Sequence, residues 1–443
     1  MSSPPVEAVA SDEAAPDAAD VVVVGAGIVG AAAALCLAEK GLSVALVEKG
    51  VVGGEQSSRN WGWCRQQGRD RREIPLIKRS LAEWDGLAER TGRDLGFRRA
   101  GVVWVTDEPD QMAVWERWAD AARDHQIDTR LLSKADLAKR FPDAKADWIG
   151  GVETPSDGRA EPARAAPAIA KALRAKGGSV LTGCAVRGLE TEAGAVSAAV
   201  TEKGRIRTRL VLLAGGAWSN LFLKRLGLEM PQLCVKASVL RTDPAPVVTD
   251  GGLGAPDFSL RRREDGGYSL AWGGATTFEL TPDAFRYMRR FWPAFMAERA
   301  AIKIRFGRAF FEALRTTADW PLDGESPFEA TRILDPEPDE GVLDHALDAL
   351  KRTFPALADL KASQRWAGMI DVTPDAVPAI GPVDALPGLF VATGFSGHGF
   401  GIGPGAGRLA ADLIAGDAPI VDPEPFRFSR FSDGTKLSLD AGM

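Results

Sequence analysis

Three sets of residues in this 443-residue chain have types and spacings that could do chemistry. The first is Gly25-Ala26-Gly27-Ile28-Val29-Gly30, a GxGxxG run, with a carboxylate at Glu48. Glycines so placed allow a tight turn, the approach of a pyrophosphate to bare backbone and close helix–strand packing. A Glu at the end of the next strand can accept hydrogen bonds from ribose hydroxyls. The second is His398, between Gly397 and Gly399. Either its ring reaches a ligand past bare backbone, or it only hydrogen-bonds within its turn. The third is a bias towards tryptophan, 12 Trp against 2 Tyr, with Trp61, Trp63, Trp218, Trp272 and Trp366 close to glycine or serine motifs. Such rings can wall a cationic or apolar ligand, although a single Trp is more often a core residue than a ligand contact. Cys36, Cys64, Cys184 and Cys234 are far apart and form no CxxC, and His125 and His345 complete a set of three histidines. No metal site is expected from so sparse a set.

Local patterns place these residues. Residues 1–19 are Ala-, Pro- and acid-rich and predict a disordered leader, since little apolar surface is available to offset ordering. Val21–Val24 reads as a buried strand, Ile28–Lys40 as an Ala-rich helix stopped by Gly41, and Leu42–Glu48 as a second buried strand. That is a βαβ unit opened by the fingerprint. Near the end, Leu389–Thr393 reads as another strand, followed by a glycine-rich turn over 394–407 and a helix from about Arg408 to Ala415. The middle alternates amphipathic helices such as Met112–Asp124 with strand-like pieces such as Gly101–Thr106 and Arg209–Ala214. His345 is expected on a solvated helix face and His125 at a helix C-terminus. Arg59, Arg65, Arg69, Arg71 and Arg72 form a basic stretch expected at the surface, with the alternative that one of them contacts a phosphate or a substrate carboxylate. The net charge of −6 with intermixed signs gives no basic stripe for nucleic acid. No run of 18 apolar residues and no secretion signal is found, so a cytoplasmic protein with no membrane span is expected.

The motifs together resemble the D-amino-acid-oxidase-like FAD-dependent oxidoreductases, which include D-amino acid dehydrogenases, glycine oxidases and sarcosine oxidases. The likeness rests on the fingerprint with Glu48, Ser57-Ser58-Arg59-Asn60 with Gly62, and Glu161-Pro162. It continues through Val211–Ser219, Trp366-Ala367-Gly368 to Thr373-Pro374-Asp375, Pro378, Ile380-Gly381 and Gly394–Gly399. The resemblance implies an α/β plus α+β fold: a discontinuous Rossmann-like FAD-binding domain with a mainly antiparallel-sheet substrate domain. The boundaries expected are 20–85, 147–225 and 362–430 for the first, 86–146 and 226–361 for the second, and 431–443 as a tail.

It also implies roles. Gly25, Gly27, Ile28, Gly30, Glu48 and Lys49 would hold the ADP half of non-covalently bound FAD; Ser57, Ser58, Asn60 and Gly62 would lie by the pyrophosphate and ring. Val186, Ala214, Gly215, Trp218, Gly397, His398, Gly399 and Gly401 would complete the cofactor site. The reaction implied is oxidation of a carbon–nitrogen bond by hydride transfer to flavin N5, giving an imine that hydrolyses, with O2 or a quinone-type partner as acceptor. Sarcosine oxidases carry a flavin-linking Cys where this chain has Gly368, and an oxygen-activating Lys that Gly267–Trp272 lacks. Where D-amino acid dehydrogenases and glycine oxidases place a carboxylate-gripping Arg, this chain has Ile370 followed by Asp371. With Trp366 and His398 these form the candidate catalytic set, and an amine without an α-carboxylate is the expected substrate unless Arg261 or Arg308 replaces the missing Arg. The alternatives are a D-amino acid dehydrogenase proper, a flavin monooxygenase, or a non-catalytic flavin subunit of a heteromeric dehydrogenase.

Overall fold

The computed structural model describes residues 3–439. Val21–Val24 forms the centre of a six-stranded sheet because its β-branched side chains are buried on both faces. Leu210–Leu213 pairs on one side of it and Val44–Val47 on the other, both parallel. Leu389–Thr393 and Ser179–Leu181 extend the parallel order outwards, and Ala379–Pro382 closes one edge antiparallel. A separate three-stranded antiparallel sheet spans Val186–Glu192, Ala195–Thr201 and Gly204–Arg207.

The helix after the fingerprint, Ile28–Glu39, is Ala-rich and buried almost all round. It packs against Pro162–Ala175 and against a terminal helix, Gly399–Ala415, which also touches Ile74–Thr91. The stretch expected as a glycine turn is therefore mostly helix: only 394–398 turns, and helix begins at Gly399. Packing explains the correction. A Cβ at Gly403 would stand 2.8 Å from the Ile28 side chain, at Gly405 2.7 Å from Ser80, and at Gly407 2.6 Å from the Ala33 nitrogen. The glycines let three helices close up, which offsets their poor helix propensity.

The second unit is a ten-stranded, mainly antiparallel sheet. Its spine is Leu233–Thr242, paired along its length with Ala362–Val372. Tyr268–Ala271 and Thr276–Glu279 share the spine's other side, and Ile302–Arg305 forms one edge. One face packs on the helix Glu340–Thr353 through Leu240, Leu260, Leu343 and Leu350.

Three expected boundaries need correction. Gly150–Thr154 and Ala362–Val372, assigned to the FAD unit, are strands of this second sheet. Residues 3–19 are not a free leader: Asp12 N–H donates to the Val180 carbonyl at 2.8 Å, Val180 N–H donates back to the Asp12 carboxylate at 2.8 Å, and Asp12 pairs with Arg174. The free edge of the parallel sheet supplies the partners that composition could not reveal. Of the tail, Leu437 packs on the core, and residues 440–443 lie outside the described residues. Among the described residues no helix is long and apolar enough to cross a membrane, and no three His, Cys, Asp or Glu residues could hold a metal ion.

Candidate functional site

A groove of about 1220 Å³, its open mouth included, runs past the C-terminal ends of the parallel strands, where Val24, Val47 and Leu213 line it. Open α/β sheets bind ligands at that end. The fingerprint shapes one stretch. Gly25 has φ +99°, and a Cβ there would meet the Ala214 carbonyl oxygen at 2.5 Å. At Gly30 a Cβ would stand 2.0 Å from the Gly25 oxygen, so this glycine serves helix–strand packing behind the groove and does not line it. Gly27 and Ile28 line the wall where the helix begins, and Ile28 N–H donates to Ser57 Oγ at 2.9 Å.

Glu48 is held by two backbone donors: Oε2 accepts from Ala26 N–H and Oε1 from Gly50 N–H, both at 2.8 Å. Burial pushes its carboxyl above the ordinary range, and the two N–H groups pull it back. Each oxygen keeps lone-pair capacity for a hydroxyl. Lys49 salt-bridges Glu55 at 2.7 Å and lies over the Trp218 ring at 4.2 Å, and Trp218 Nε1–H donates to Glu55. These three tie the groove wall together.

Asn60 carries the turn that follows: Nδ2–H donates to the Ser57 carbonyl at 2.9 Å, and Oδ1 accepts from Gly62 N–H at 2.7 Å. Gly62 has φ +80° and no room for a Cβ, which would lie 2.6 Å from the Ala160 oxygen. Of the residues expected at the cofactor, Ser57, Asn60, Val186, Ala214, Gly215, Gly397 and Gly399 line the groove; Ser58, Gly62, His398 and Gly401 do not. Ser58 is buried and donates to the Glu55 carbonyl, while a Cβ on Gly401 would press to 3.0 Å from Cys64.

The four candidate catalytic residues separate. Asp371 lines the groove, but its Oδ2 accepts from Gly394 N–H at 2.7 Å and Gln232 Nε2–H at 3.0 Å, and burial pushes its carboxyl up. It anchors the glycine turn. Ile370 lies 3.8 Å from where a Gly397 Cβ would stand. Trp366 is buried outside the groove, with Nε1–H donating to the Arg59 carbonyl at 3.0 Å and the ring against Val239, Ala271 and Trp61. His398 turns to Glu73, Nδ1 to Oε2 at 2.9 Å; burial and then Arg69 hold its pKa below the ordinary value.

Sequence reasoning missed Met369, Phe222 and Phe328, which supply apolar groove wall. No local motif marks Phe222 or Phe328, whereas Met369 stands beside the candidates Ile370 and Asp371. Sequence reasoning also expected the whole basic stretch at the surface, whereas only Arg71 of the five is exposed. Arg59 is 1% and Arg69 4% exposed. Arg59 pairs with Asp335 at 2.8 Å, and Arg69 leaves Nη1 without a hydrogen-bond partner. Of the Arg residues considered as carboxylate grips, Arg261 is buried against Glu161 at 2.8 Å, and the Arg308 side chain is 90% exposed beside Glu312. His345 is half-buried, stacked on Trp272 at 4.3 Å, and His125 ends the helix Pro109–Asp124.

The donor set fits a dinucleotide: bare backbone at a helix start for phosphates, a carboxylate for ribose hydroxyls, and apolar walls onward to Met369. The comparisons agree. The family described as DAO, FAD dependent oxidoreductase, matches residues 20–413. A glycine oxidase of Pseudomonas aeruginosa is 28% identical over 92% of this chain and 97% of its own. A sarcosine oxidase subunit beta of Rhizobium meliloti is 24% identical, over 94% and 89%. Among solved structures, the L-amino acid deaminase of Proteus myxofaciens in complex with anthranilate superposes with a TM-score of 0.93 at 31% identity, covering 97% of this chain and 98% of that one.

Proposed function

The chain belongs to the family of FAD dependent oxidoreductases, and from that premise we propose that it oxidises the carbon–nitrogen bond of a small amine or amino acid. The observation that carries this reading is the groove, which runs from Glu48 past the fingerprint to Met369, Asp371 and Gly397. Bound there, FAD would supply the two-electron acceptor for the oxidation. Gly25, Gly27 and Glu48 would hold its ADP half, with Ser57 and Asn60 fixing the wall beyond. Asp371 and Gln232 set the turn over 394–398, so that Gly397 and Gly399 offer bare backbone to the ligand. Electrons leave to O2 or to a quinone-class acceptor, and the reaction is assigned to the cytoplasm.

The substrate we favour lacks an α-carboxylate. Ile370 is apolar, the Arg261 charge is already met by Glu161, and Arg308 stands in solvent. A carboxylate buried beside Ile370 without a partner would lose several kcal/mol. Arg69, with its unpartnered Nη1, favours a second reading in which a carboxylate reaches that guanidinium. Anaerobic flavin reduction by an amine and by its α-carboxylated analogue tests both. Faster reduction by the plain amine is expected. Faster reduction by the carboxylated compound, abolished in Arg69→Leu, would replace the first reading with the second, and no reduction by any amine or amino acid would overturn the proposed reaction.

A further inference from the structure

Two turns that face the groove are tied together from behind. One, over 215–218, follows the strand Leu210–Leu213; the other, over 394–398, follows its parallel neighbour Leu389–Thr393. Both use left-handed backbone, with φ +52° at Gly216, +78° at Gly394, +50° at Ser396 and +85° at Gly397. Ser396 has a side chain and is strained in that conformation, so the second turn needs partners to hold it.

Gln232 supplies partners to both turns. It is buried; its Oε1 accepts from Asn220 N–H at 2.9 Å, and its Nε2–H groups donate to the Gly216 carbonyl at 3.1 Å and to Asp371 Oδ2 at 3.0 Å. A backbone N–H on one side and these oxygens on the other fix which way the amide points. Asp371 passes the link on. The same Oδ2 accepts from Gly394 N–H at 2.7 Å, and the Asp371 carbonyl accepts from Ser396 N–H at 2.9 Å. Thr393 adds a direct bridge, its hydroxyl donating to Ser219 Oγ at 2.8 Å.

The same hub joins the two sheets. Gln232 immediately precedes the spine strand Leu233–Thr242, and Asp371 stands in register with Cys234 on the partner strand Ala362–Val372. Thr393 ends a strand of the parallel sheet, and Gly216 and Asn220 follow its neighbour. In a dry site such hydrogen bonds have little slack, because a group that lets go is left unsatisfied.

We propose that Gln232 is a positioning residue: through Gly216 and Asp371 it locks both ligand-facing turns and the end of the second sheet's spine into one arrangement that a ligand in the groove meets as a unit. The proposal rests on the reading of the groove as the FAD site.

The test uses the full-length protein and reads the Kd for FAD, the visible circular dichroism of the bound flavin and the thermal midpoint. A glutamine that only satisfied buried groups would move the midpoint alone. Gln232→Glu is isosteric but sets a second carboxylate against Asp371. A proton shared between the two carboxylates bridges them at low pH, and its loss leaves like charges side by side. The Kd of this variant should therefore lie within about threefold of the wild type near about pH 6, and exceed it by about tenfold or more near about pH 8.5, with an altered flavin dichroism. Adding Asp371→Asn restores a donor, since the new amide can give an N–H to the Glu carboxylate while its oxygen keeps the Gly394 N–H. The double variant should return to within about threefold of the wild type at both pH values. Should Gln232→Glu not fold, Thr393→Val, which removes the bridge to Ser219, takes its place with a shift of about threefold in Kd and the same change in dichroism. Wild-type Kd and dichroism in these variants, or a double variant whose effects simply add, would overturn the proposal alone. A wild-type protein that takes up no FAD would overturn the reading of the groove and this proposal with it.

Discussion

Gly27 and Glu48 act on the cofactor site in ways that substitution can separate. A Cβ on Gly27 would already stand 3.0 Å from Ser57 Oγ, and the larger Val side chain would occupy the groove wall at the helix start. Gly27→Val should therefore purify largely without flavin while far-ultraviolet circular dichroism stays unchanged. Glu48→Ala removes charge-assisted hydrogen bonds worth roughly 1.5–3 kcal/mol each and should raise the flavin Kd at least about tenfold. Full flavin content in either variant would move the cofactor elsewhere. Asp157 gives a pH signature of a different kind. It is buried, accepts from Gln66 N–H at 2.7 Å and Gln67 N–H at 3.2 Å, and burial pushes its pKa up to about 6 from an ordinary 3.8. The folded state then holds a proton that the unfolded chain releases near pH 3.8. This stabilising term is full below that value and is lost as pH rises through about 6, a swing on the order of 3 kcal/mol. Denaturant unfolding of the wild type and Asp157→Asn should thus differ by an amount that shifts in favour of Asn between pH 4 and 7, and parallel pH profiles would contradict the assignment.

Elements were legible where one local rule decided them. The strand Val21–Val24, the fingerprint and the helix Ile28–Glu39 follow one another with signals that need no distant partner, and the residues they place line the groove. The run from Gly399 to Gly407 shows the opposite case. Its local signal is a turn, yet contacts with two other helices make it helical. Likewise the sheet that Gly150–Thr154 and Ala362–Val372 join is chosen by pairing partners far away in the chain. Phe222 and Phe328 became groove wall by the same long-range route, so no pattern around them could announce it. A pair of substitutions distinguishes the two kinds of glycine. Gly86, inside the helix Ile74–Thr91, has nothing within 4 Å of an added Cβ, so Gly86→Ala should stabilise by roughly 1 kcal/mol through propensity alone. At Gly407 a Cβ would stand 2.6 Å from the Ala33 nitrogen, and Gly407→Ala should destabilise by about 1–3 kcal/mol despite the same gain in propensity. Thermal midpoints moving in opposite directions check the pair, and a shared direction would mean that the three-helix contact is looser than it looks.

At the scale of the whole molecule, the first residues act as a strap across the free edge of the parallel sheet. Composition argued for disorder because it counts only apolar burial. The strap is held instead by Asp12, whose N–H donates to the Val180 carbonyl and whose carboxylate accepts from Val180 N–H, by Thr182 N–H donating to Ser11 Oγ at 3.0 Å, and by the ion pairs Glu7–Lys171 and Asp12–Arg174. Each ion pair is solvent-accessible and worth at most about 1 kcal/mol. The larger consequence is topological. Without the strap, Ser179–Leu181 becomes an open edge strand, and open edges invite pairing with other chains. Deleting residues 1–13 should therefore lower stability by only about 2–3 kcal/mol, summed from a few exposed hydrogen bonds and ion pairs. It should also make the melt depend on protein concentration, with light scattering rising as the transition begins. Melting curves recorded at several concentrations decide the matter: if the truncated and full-length chains melt alike and equally free of scattering at every concentration, the strap neither stabilises the sheet nor guards its edge.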